Sequence, residues 1–389
     1  MKQRVALGLS GGVDSAVSAA ILKEQGYEVT GVFIICYRGP RCRTDEDRKD
    51  ALDVALKLEI PFEVLDFRKA YQEKVLEYFK AEYAAGRTPN PDIVCNREIK
   101  FGLFYQWALR QAQGHRRFDY IATGHYARIG CSCQPDLDVL GCLKASARLH
   151  RFAKQYGQGC ARQSRVCQLL CSRDEHKDQT YFLYQLRAEQ LQHILFPIGG
   201  MTKTEVRREA EKRDLPVVAK PDSQGICFIG EVPIREFLKK MGIKEKVGEV
   251  VNMEGKVIGT HKGVWFYTIG QRHGFEIKVK SSKVPAYYVV GKDIQKNILV
   301  VGTKDQCMRQ ELEVGEVHWV NEDDRLQITD DREIQIRIRH QGKLVPSKIQ
   351  HLGSKILVRL SEPAFGVAPG QSCVFYDGEV CLGGGIIHN

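Results

Sequence analysis

Residues 8–15 read Gly8-Leu9-Ser10-Gly11-Gly12-Val13-Asp14-Ser15 and lie between an apolar run, Val5–Leu9, and a helical pattern carrying Val17, Ile21 and Leu22 on one face. A tight turn from a strand into a helix aims successive backbone N–H groups and the positive end of the helix dipole at one point, which suits a phosphate. The paired glycines let the backbone approach an anion closely, Ser10 and Ser15 add hydroxyl donors, and Asp14 could hold a magnesium ion against a pyrophosphate. The string lacks the Gly-Lys-Ser/Thr ending of a Walker A loop. Taken alone, such a turn can also be a plain strand-to-helix connection.

Two cysteines stand in settings that could do sulfur chemistry. Cys95 follows Thr88-Pro89-Asn90-Pro91-Asp92-Ile93-Val94 and precedes a helical pattern through Phe101, Phe104 and Ala108, so it is expected near a helix start, where the dipole would raise its thiolate fraction. Asp92, three residues earlier, could move a proton or simply cap the helix. Cys227 sits in Asp222-Ser223-Gln224-Gly225-Ile226-Cys227-Phe228-Ile229-Gly230, a turn with glycines on both sides, and is expected to be accessible. Read in isolation, each cysteine is more often a small packed hydrophobe.

The elements that must position these groups follow from hydrophobic periodicity. Gly26 closes the first helix, and three further apolar runs follow: Val29–Ile35, Phe62–Phe67 and Tyr120–Thr123, with helical spacing at Ala51, Val54, Ala55 and Leu58 between the first two. Short apolar strands alternating with helices predict an α/β fold with a doubly wound parallel sheet. A helical stretch is expected over Met201–Arg213. Beyond about residue 231 strand-like segments with glycine turns dominate, and Ile334–Arg339, Ile356–Leu360, Cys373–Tyr376 and Val380–Leu382 predict a small C-terminal β-barrel, the last two runs forming a hairpin around Asp377-Gly378. Residues 131–167 break the rhythm and read as an insertion. Six of the thirteen cysteines (Cys131, Cys133, Cys142, Cys160, Cys167 and Cys171) cluster there or just beyond it. Their spacings match no standard paired Cys-x-x-Cys ligand set, so no metal site is assigned.

Bulk properties bound the function. The 389 residues are enough for two or three domains, and 43% hydrophobic with 27% charged residues fits an ordinary folded chain. Fifty-eight basic against 48 acidic residues, a net charge of +10, favours a phosphate-rich partner. No export signal and no bilayer-length apolar stretch is read, so a cytoplasmic protein with reduced thiols and no membrane partner is expected.

The full loop resembles the PP-loop of N-type ATP pyrophosphatases, which adenylate a substrate oxygen and release pyrophosphate. In one order along the chain stand that loop, Asn90-Pro91-Asp92-Ile93-Val94-Cys95-Asn96, Gly124-His125-Tyr126-Ala127-Arg128, Lys177-Asp178-Gln179, Gly199-Gly200-Met201-Thr202-Lys203, Gly225-Ile226-Cys227-Phe228-Ile229-Gly230, Tyr267-Thr268-Ile269-Gly270-Gln271-Arg272, and Pro369-Gly370-Gln371-Ser372-Cys373-Val374-Phe375-Tyr376. That order resembles the tRNA-specific 2-thiouridylases, the MnmA or TrmU family, over nearly the whole chain except the insertion.

The resemblance implies ATP-dependent 2-thiolation of a wobble uridine, with ATP and Mg2+ as cofactors. It implies Cys227 as the persulfide carrier, Cys95 as the thiol that frees the sulfur to leave a Cys95–Cys227 disulfide, and Asp92 as the acid/base. Gly8 to Ser15, Ile34 and Gly124 would contact the nucleotide. Asn90, Pro91, Asp92, His125, Lys177, Asp178, Gln179, Arg337, Ile338 and Gln371 would face the tRNA; where relatives have an aromatic after the arginine this chain has Ile338, so no stacking role carries over there. Expected partners are tRNAs of the Lys, Glu and Gln type and a cysteine desulfurase or sulfur-relay protein. The implied organisation is a catalytic domain over 1–230, a central domain over 231–300 and a barrel domain over 301–389. Two rival readings remain at this point: another PP-loop enzyme that adenylates a small metabolite, and an idle tRNA-binding relative.

Overall fold

The computed structural model describes residues 2–39, 42–112, 115–131, 167–222, 225, 227–230, 232–278, 286–330 and 332–388. The four apolar runs form strands β1 (Arg4–Gly8), β2 (Glu28–Ile35), β3 (Phe62–Asp66) and β4 (Tyr120–Thr123). A hairpin, β5 (Arg128–Cys131) with β6 (Cys167–Leu170), comes next, and then the two-residue strand β7 (Ile194–Leu195). The parallel sheet runs β3-β2-β1-β4-β7, with Val5 of β1 opposite both Val29 and Tyr120.

Strand β1 is apolar at successive positions because both faces of the sheet are covered: Val5, Ala6 and Leu7 have no exposed surface. Val5 and Leu7 pack with Ala16 and Val17 of α1 (Val13–Glu24) and with Val206 and Ala210 of the helix Lys203–Lys212. Ala6 faces the opposite core, where Tyr71, Phe79, Ile99 and Phe104 gather. The chain winds outward from β1 to β2 and β3 and then returns to β4 on the other side. The cleft between the carboxyl ends of β1 and β4 is therefore the topological switch point, the place where open α/β sheets bind ligands.

A five-stranded sheet in the order Glu276–Ile277, Val257–His261, Gly248–Val251, Ile298–Gly302 and Tyr288–Asp293 has its own core around Val250, Leu299 and Val301. The last six long strands close on themselves. These are β8 (Met308–Trp319), β9 (Glu333–Arg337), β10 (Val345–Leu352), β11 (Lys355–Phe365), β12 (Ser372–Asp377) and β13 (Val380–Ile387). They pair in the antiparallel ring β8-β11-β10-β9-β12-β13-β8, the expected barrel, with Gly378 at positive φ in the predicted hairpin turn.

Sequence did not foresee that the β5–β6 hairpin joins this barrel: Leu170 pairs with Arg128 on one side and with Val380 on the other. Both arms of the hairpin flank the insertion, whose interior lies outside the described residues together with Cys133, Cys142 and Cys160. No group of metal-ligating side chains is found among the described residues.

Candidate active site at the sheet switch point

The phosphate loop is built as its residue types require. Gly11 has φ +76°, and a Cβ there would stand 2.2 Å from the Asp47 carbonyl oxygen, so only glycine fits. Ser15 Oγ accepts from the Ser10 N–H at 3.2 Å and donates to the Gly12 carbonyl at 3.0 Å, while the Ser10 hydroxyl lies 3.1 Å from that of Ser15. Gly124, at the end of β4, lets that strand lie against the loop: a Cβ would come within 2.8 Å of Ser15 N and 2.9 Å of Asp14 C. Gly8, Leu9, Gly12 and Val13 complete the turn, and Ile34 is buried in β2 next door.

Asp14 Oδ1 receives the Tyr126 hydroxyl at 2.8 Å and Lys203 Nζ at 2.7 Å. Lys203 also pairs with Asp222 at 2.9 Å, and Asp222 is held in addition by Lys177 at 2.7 Å and Arg207 at 2.6 Å. Burial alone would raise the Asp222 carboxyl, but Lys177 and Lys203 outweigh it and hold the group well below the usual carboxylate range. Because Asp222 opens the segment that carries Cys227, one lysine ties the phosphate loop to the cysteine loop.

The two cysteines meet. Cys95 Sγ lies 3.9 Å from Cys227 Sγ, the Cys227 N–H donates to Asp92 Oδ1 at 2.9 Å, and the Tyr71 hydroxyl donates to the Cys227 carbonyl at 2.8 Å. Phe228 adopts φ +65°, the sharp bend that turns Cys227 inward. Asn90, not Asp92, caps the Pro91–Cys95 helix, its side chain accepting from the Asp92 N–H at 3.2 Å, with Pro91 in the first turn.

The expectation for the Cys95 thiolate fails. Cys95 stands at the fifth helical position, where α-turns give way to wide π-turns over Asn96–Phe104, and it has no exposed surface. The dipole effect fades within the first turn, and burial drives this thiol well above its ordinary value. Partly exposed Cys227 moves the other way, lowered first by the hydrogen bond from Cys95 and further by the positive charge of Lys100, against the cost of burial. The resting pair is a thiol at Cys95 and a thiolate-prone sulfur at Cys227. Asp92 is shifted upward by burial, against the opposing pull of the Cys227 N–H and Lys100.

His125 is buried, 2.8 Å from the Thr123 hydroxyl and 3.4 Å from Lys100 Nζ, and burial next to that lysine keeps it neutral. The expected tRNA-facing set divides. Asn90, Pro91 and Asp92 adjoin the cysteines. Asp178 does not face outward: it is 2% exposed, pairs with Arg337 at 2.7 Å and accepts from Ser172 N–H and the Thr180 hydroxyl. Gln179 accepts the Tyr126 N–H, and Ile338 packs on the barrel core. Gln371 donates to the carbonyls of Thr88 and Pro89 at 2.7 and 3.3 Å, so it braces the Asn-Pro-Asp segment from the barrel. Lys100, Tyr71, Lys203 and Asp222 were not singled out from sequence; Lys203 and Asp222 stand inside quoted segments and Lys100 just beyond one, whereas nothing in the sequence marked Tyr71.

A phosphate loop at the switch point of a doubly wound sheet, with a thiol pair beside it and two β-domains after it, defines the class: a PP-loop protein of the nucleotide-binding α/β kind. Residues 3–231 match the family model described as tRNA methyl transferase HUP domain, 235–303 the tRNA methyl transferase PRC-barrel domain and 309–387 the aminomethyltransferase beta-barrel domain. A tRNA-specific 2-thiouridylase MnmA of Pediococcus pentosaceus is 42% identical over 99% of this chain and 95% of its own length; that of Streptococcus mutans is 41% identical over 100% and 96%. The chain belongs to the tRNA-specific 2-thiouridylase MnmA family. A looser likeness, with TM-score 0.32 and 13% identity over 62% of this chain and 65% of the other, is to the U34-tRNA thiolase NcsA of Methanococcus maripaludis.

Proposed function

We propose that this protein is the enzyme that replaces the C2 oxygen of a tRNA wobble uridine with sulfur at the expense of ATP. The observation that carries the reading is the Cys95–Cys227 pair, 3.9 Å apart with Asp92 against Cys227, at the same sheet edge as the phosphate loop. The uridine C2 oxygen attacks the α-phosphorus of ATP, an O–P bond forms and pyrophosphate leaves, which makes C2 electrophilic and turns its oxygen into part of a good leaving group. Backbone N–H groups of residues 10–15 with the Ser10 and Ser15 hydroxyls bind the leaving pyrophosphate. Magnesium fits Asp14, because both of that carboxylate's contacts fall on Oδ1; bound there, the ion would neutralise charge on the phosphates.

Cys227 carries the sulfur as a persulfide received from a cysteine desulfurase or relay protein. Cys95, deprotonated, attacks the inner sulfur; the Cys95–Cys227 bond forms, hydrosulfide leaves and displaces AMP from C2, and an external dithiol then reduces the disulfide. Asp92, whose Oδ1 accepts the Cys227 N–H, is assigned as the base that takes the Cys95 proton. The target base must leave the anticodon stack to reach this cleft. His125, Lys177, Gln179, Arg337 and Gln371 support the cleft from behind, in addition to any contact with RNA, and the protein acts in the cytoplasm on tRNAs of the Lys, Glu and Gln type. No helix among the described residues is long and apolar enough to cross a membrane.

Incubation with unmodified tRNA, ATP, magnesium and a sulfur source, followed by mass analysis of nucleosides, is expected to yield 2-thiouridine at the wobble position. Pyrophosphate release without sulfur incorporation would favour a metabolite-adenylating enzyme; neither reaction would favour an idle RNA binder.

A further inference from the structure

We propose that Tyr71 is a positioning residue for sulfur release: its hydroxyl, donating to the Cys227 carbonyl at 2.8 Å, holds the bend that keeps Cys227 Sγ against Cys95. The inference rests on the reading of Cys227 as the sulfur carrier and of Cys95 as the thiol that attacks it. Both backbone groups of Cys227 are gripped by side chains of other segments: the N–H donates to Asp92 Oδ1 at 2.9 Å, and the carbonyl takes the Tyr71 hydroxyl. The next residue, Phe228, stands at φ +65°, a conformation that a bulky side chain keeps only where its surroundings enforce it. The Tyr71 ring also meets the Phe228 ring edge to face, centres 6.0 Å apart at 82°, so one side chain restrains both residues of the bend.

Tyr71 has no exposed surface and shares a core with Val75, Phe79, Ile93 and Cys95, so its hydroxyl is aimed from a fixed point. It ends the helix Arg68–Tyr71, after which the chain widens into π-turns over Gln72–Leu76, just as it widens over Asn96–Phe104 directly after Cys95. Such turns are rare and recur at functional sites. Here each π-stretch begins directly after a residue that meets Cys227.

Sulfur release is the step this serves. Once Asp92 has taken the Cys95 proton, the Cys95 thiolate attacks the inner sulfur of the Cys227 persulfide; the Cys95–Cys227 bond forms as the inner–outer S–S bond breaks, and the electron pair leaves on hydrosulfide. Attack at sulfur needs the attacking, central and leaving sulfurs near one line, so a swing of Cys227 by about 1 Å is enough to slow it strongly. Cys95 cannot follow such a swing, because it is buried at the end of the helix Pro91–Cys95, whose Ile93 and Val94 lie in the same core. The restraint must therefore act on Cys227.

The test uses Tyr71→Phe, which deletes the hydroxyl and keeps the ring in its packing. Reduced full-length protein, without ATP or tRNA, is treated with methyl methanethiosulfonate, so that a methylthio group on Cys227 stands in for the outer sulfur of the persulfide. Acid quenching and peptide mass spectrometry then follow closure to the Cys95–Cys227 disulfide as methanethiol leaves. Tyr71→Phe should slow closure about fivefold or more, the weight of one intramolecular hydrogen bond in an equilibrium, while circular dichroism shows the wild-type fold. In the thiolation assay its pyrophosphate release, which precedes any use of Cys227, should match wild type, and the yield of 2-thiouridine per pyrophosphate should fall by a similar factor. A folded Tyr71→Phe protein that closes at the wild-type rate overturns the proposal, as does one whose pyrophosphate release and thiolation fall in the same proportion. The proposed reaction is judged by 2-thiouridine from the wild-type protein and Tyr71 by the ratio of variant to wild type in closure, so the two failures are distinct.

Discussion

Arg337 and Asp178 offer a sharp test of whether the barrel is held by a buried ion pair. Asp178 is 1% and Arg337 9% exposed by side chain; Oδ2 of Asp178 takes both the guanidinium and the Thr180 hydroxyl at 2.7 Å, and Oδ1 takes the Ser172 N–H at 3.0 Å. Asp178→Asn preserves shape but removes the counter-charge. A unit pair near 4 Å at an effective dielectric of about 20 interacts by about 4 kcal/mol, and breaking one side of a buried pair costs about 3–5 kcal/mol. The Tyr376 ring, 5.2 Å from the guanidinium, offsets about 1 kcal/mol of that. The expected net loss is about 3 kcal/mol.

Urea unfolding can read it locally, because Trp319 packs on Phe375 in the barrel while Trp107 and Trp265 lie elsewhere. In a Trp107→Phe, Trp265→Phe background, Trp319 fluorescence reports the barrel transition. Asp178→Asn should lower its stability by about 3 kcal/mol, and the Asp178→Leu, Arg337→Met double variant should recover most of it, since a packed apolar pair avoids desolvating two charges. A single-variant loss under about 1 kcal/mol, or a double variant no better than the single, would refute the reasoning.

Further outcomes follow from the site. Cys227→Ser and Cys95→Ser should each abolish thiolation while tRNA affinity, measured by filter binding, stays within about threefold, less than the tenfold that 1.4 kcal/mol represents; full activity in either sinks the two-thiol scheme. Gly124→Ala should raise the KM for ATP in pyrophosphate release about tenfold, because its methyl group would press on Ser15 and Asp14 at a cost of about 1–3 kcal/mol; an unchanged KM would show that the loop yields freely. His125 resists protonation when folded, whereas the unfolded chain takes the proton near pH 6.5. Stability is therefore full above about pH 6.5 and falls as pH drops below it; His125→Asn should flatten that slope, His261, His318 and His340 supplying the remainder, and an unaltered slope between pH 7 and 5 would count against this account.

Local chemistry was legible in the sequence wherever one segment contains all its own causes. The run Val5–Leu9 reads as a strand, Gly11-Gly12 as a tight turn into a helix, and Asp377-Gly378 as the turn of a hairpin; each follows from side-chain shape and backbone freedom within a few residues. Motif order was enough to single out Cys95 and Cys227. Which of them is the thiolate was not legible, because that depends on desolvation and on Lys100, fixed by packing between the Pro91 stretch, β4 and the cysteine loop. Asp178 and Arg337 were expected to face the tRNA, and their pairing with each other was not legible, since a buried ion pair across 159 residues leaves no periodic trace. The joining of β5–β6 to the barrel likewise depends on pairing between distant strand edges, whose hydrogen bonds are blind to side-chain identity. Tertiary structure alone decided the electrostatics of the site, because the dielectric and the neighbouring charges that set a pKa exist only once the chain has folded.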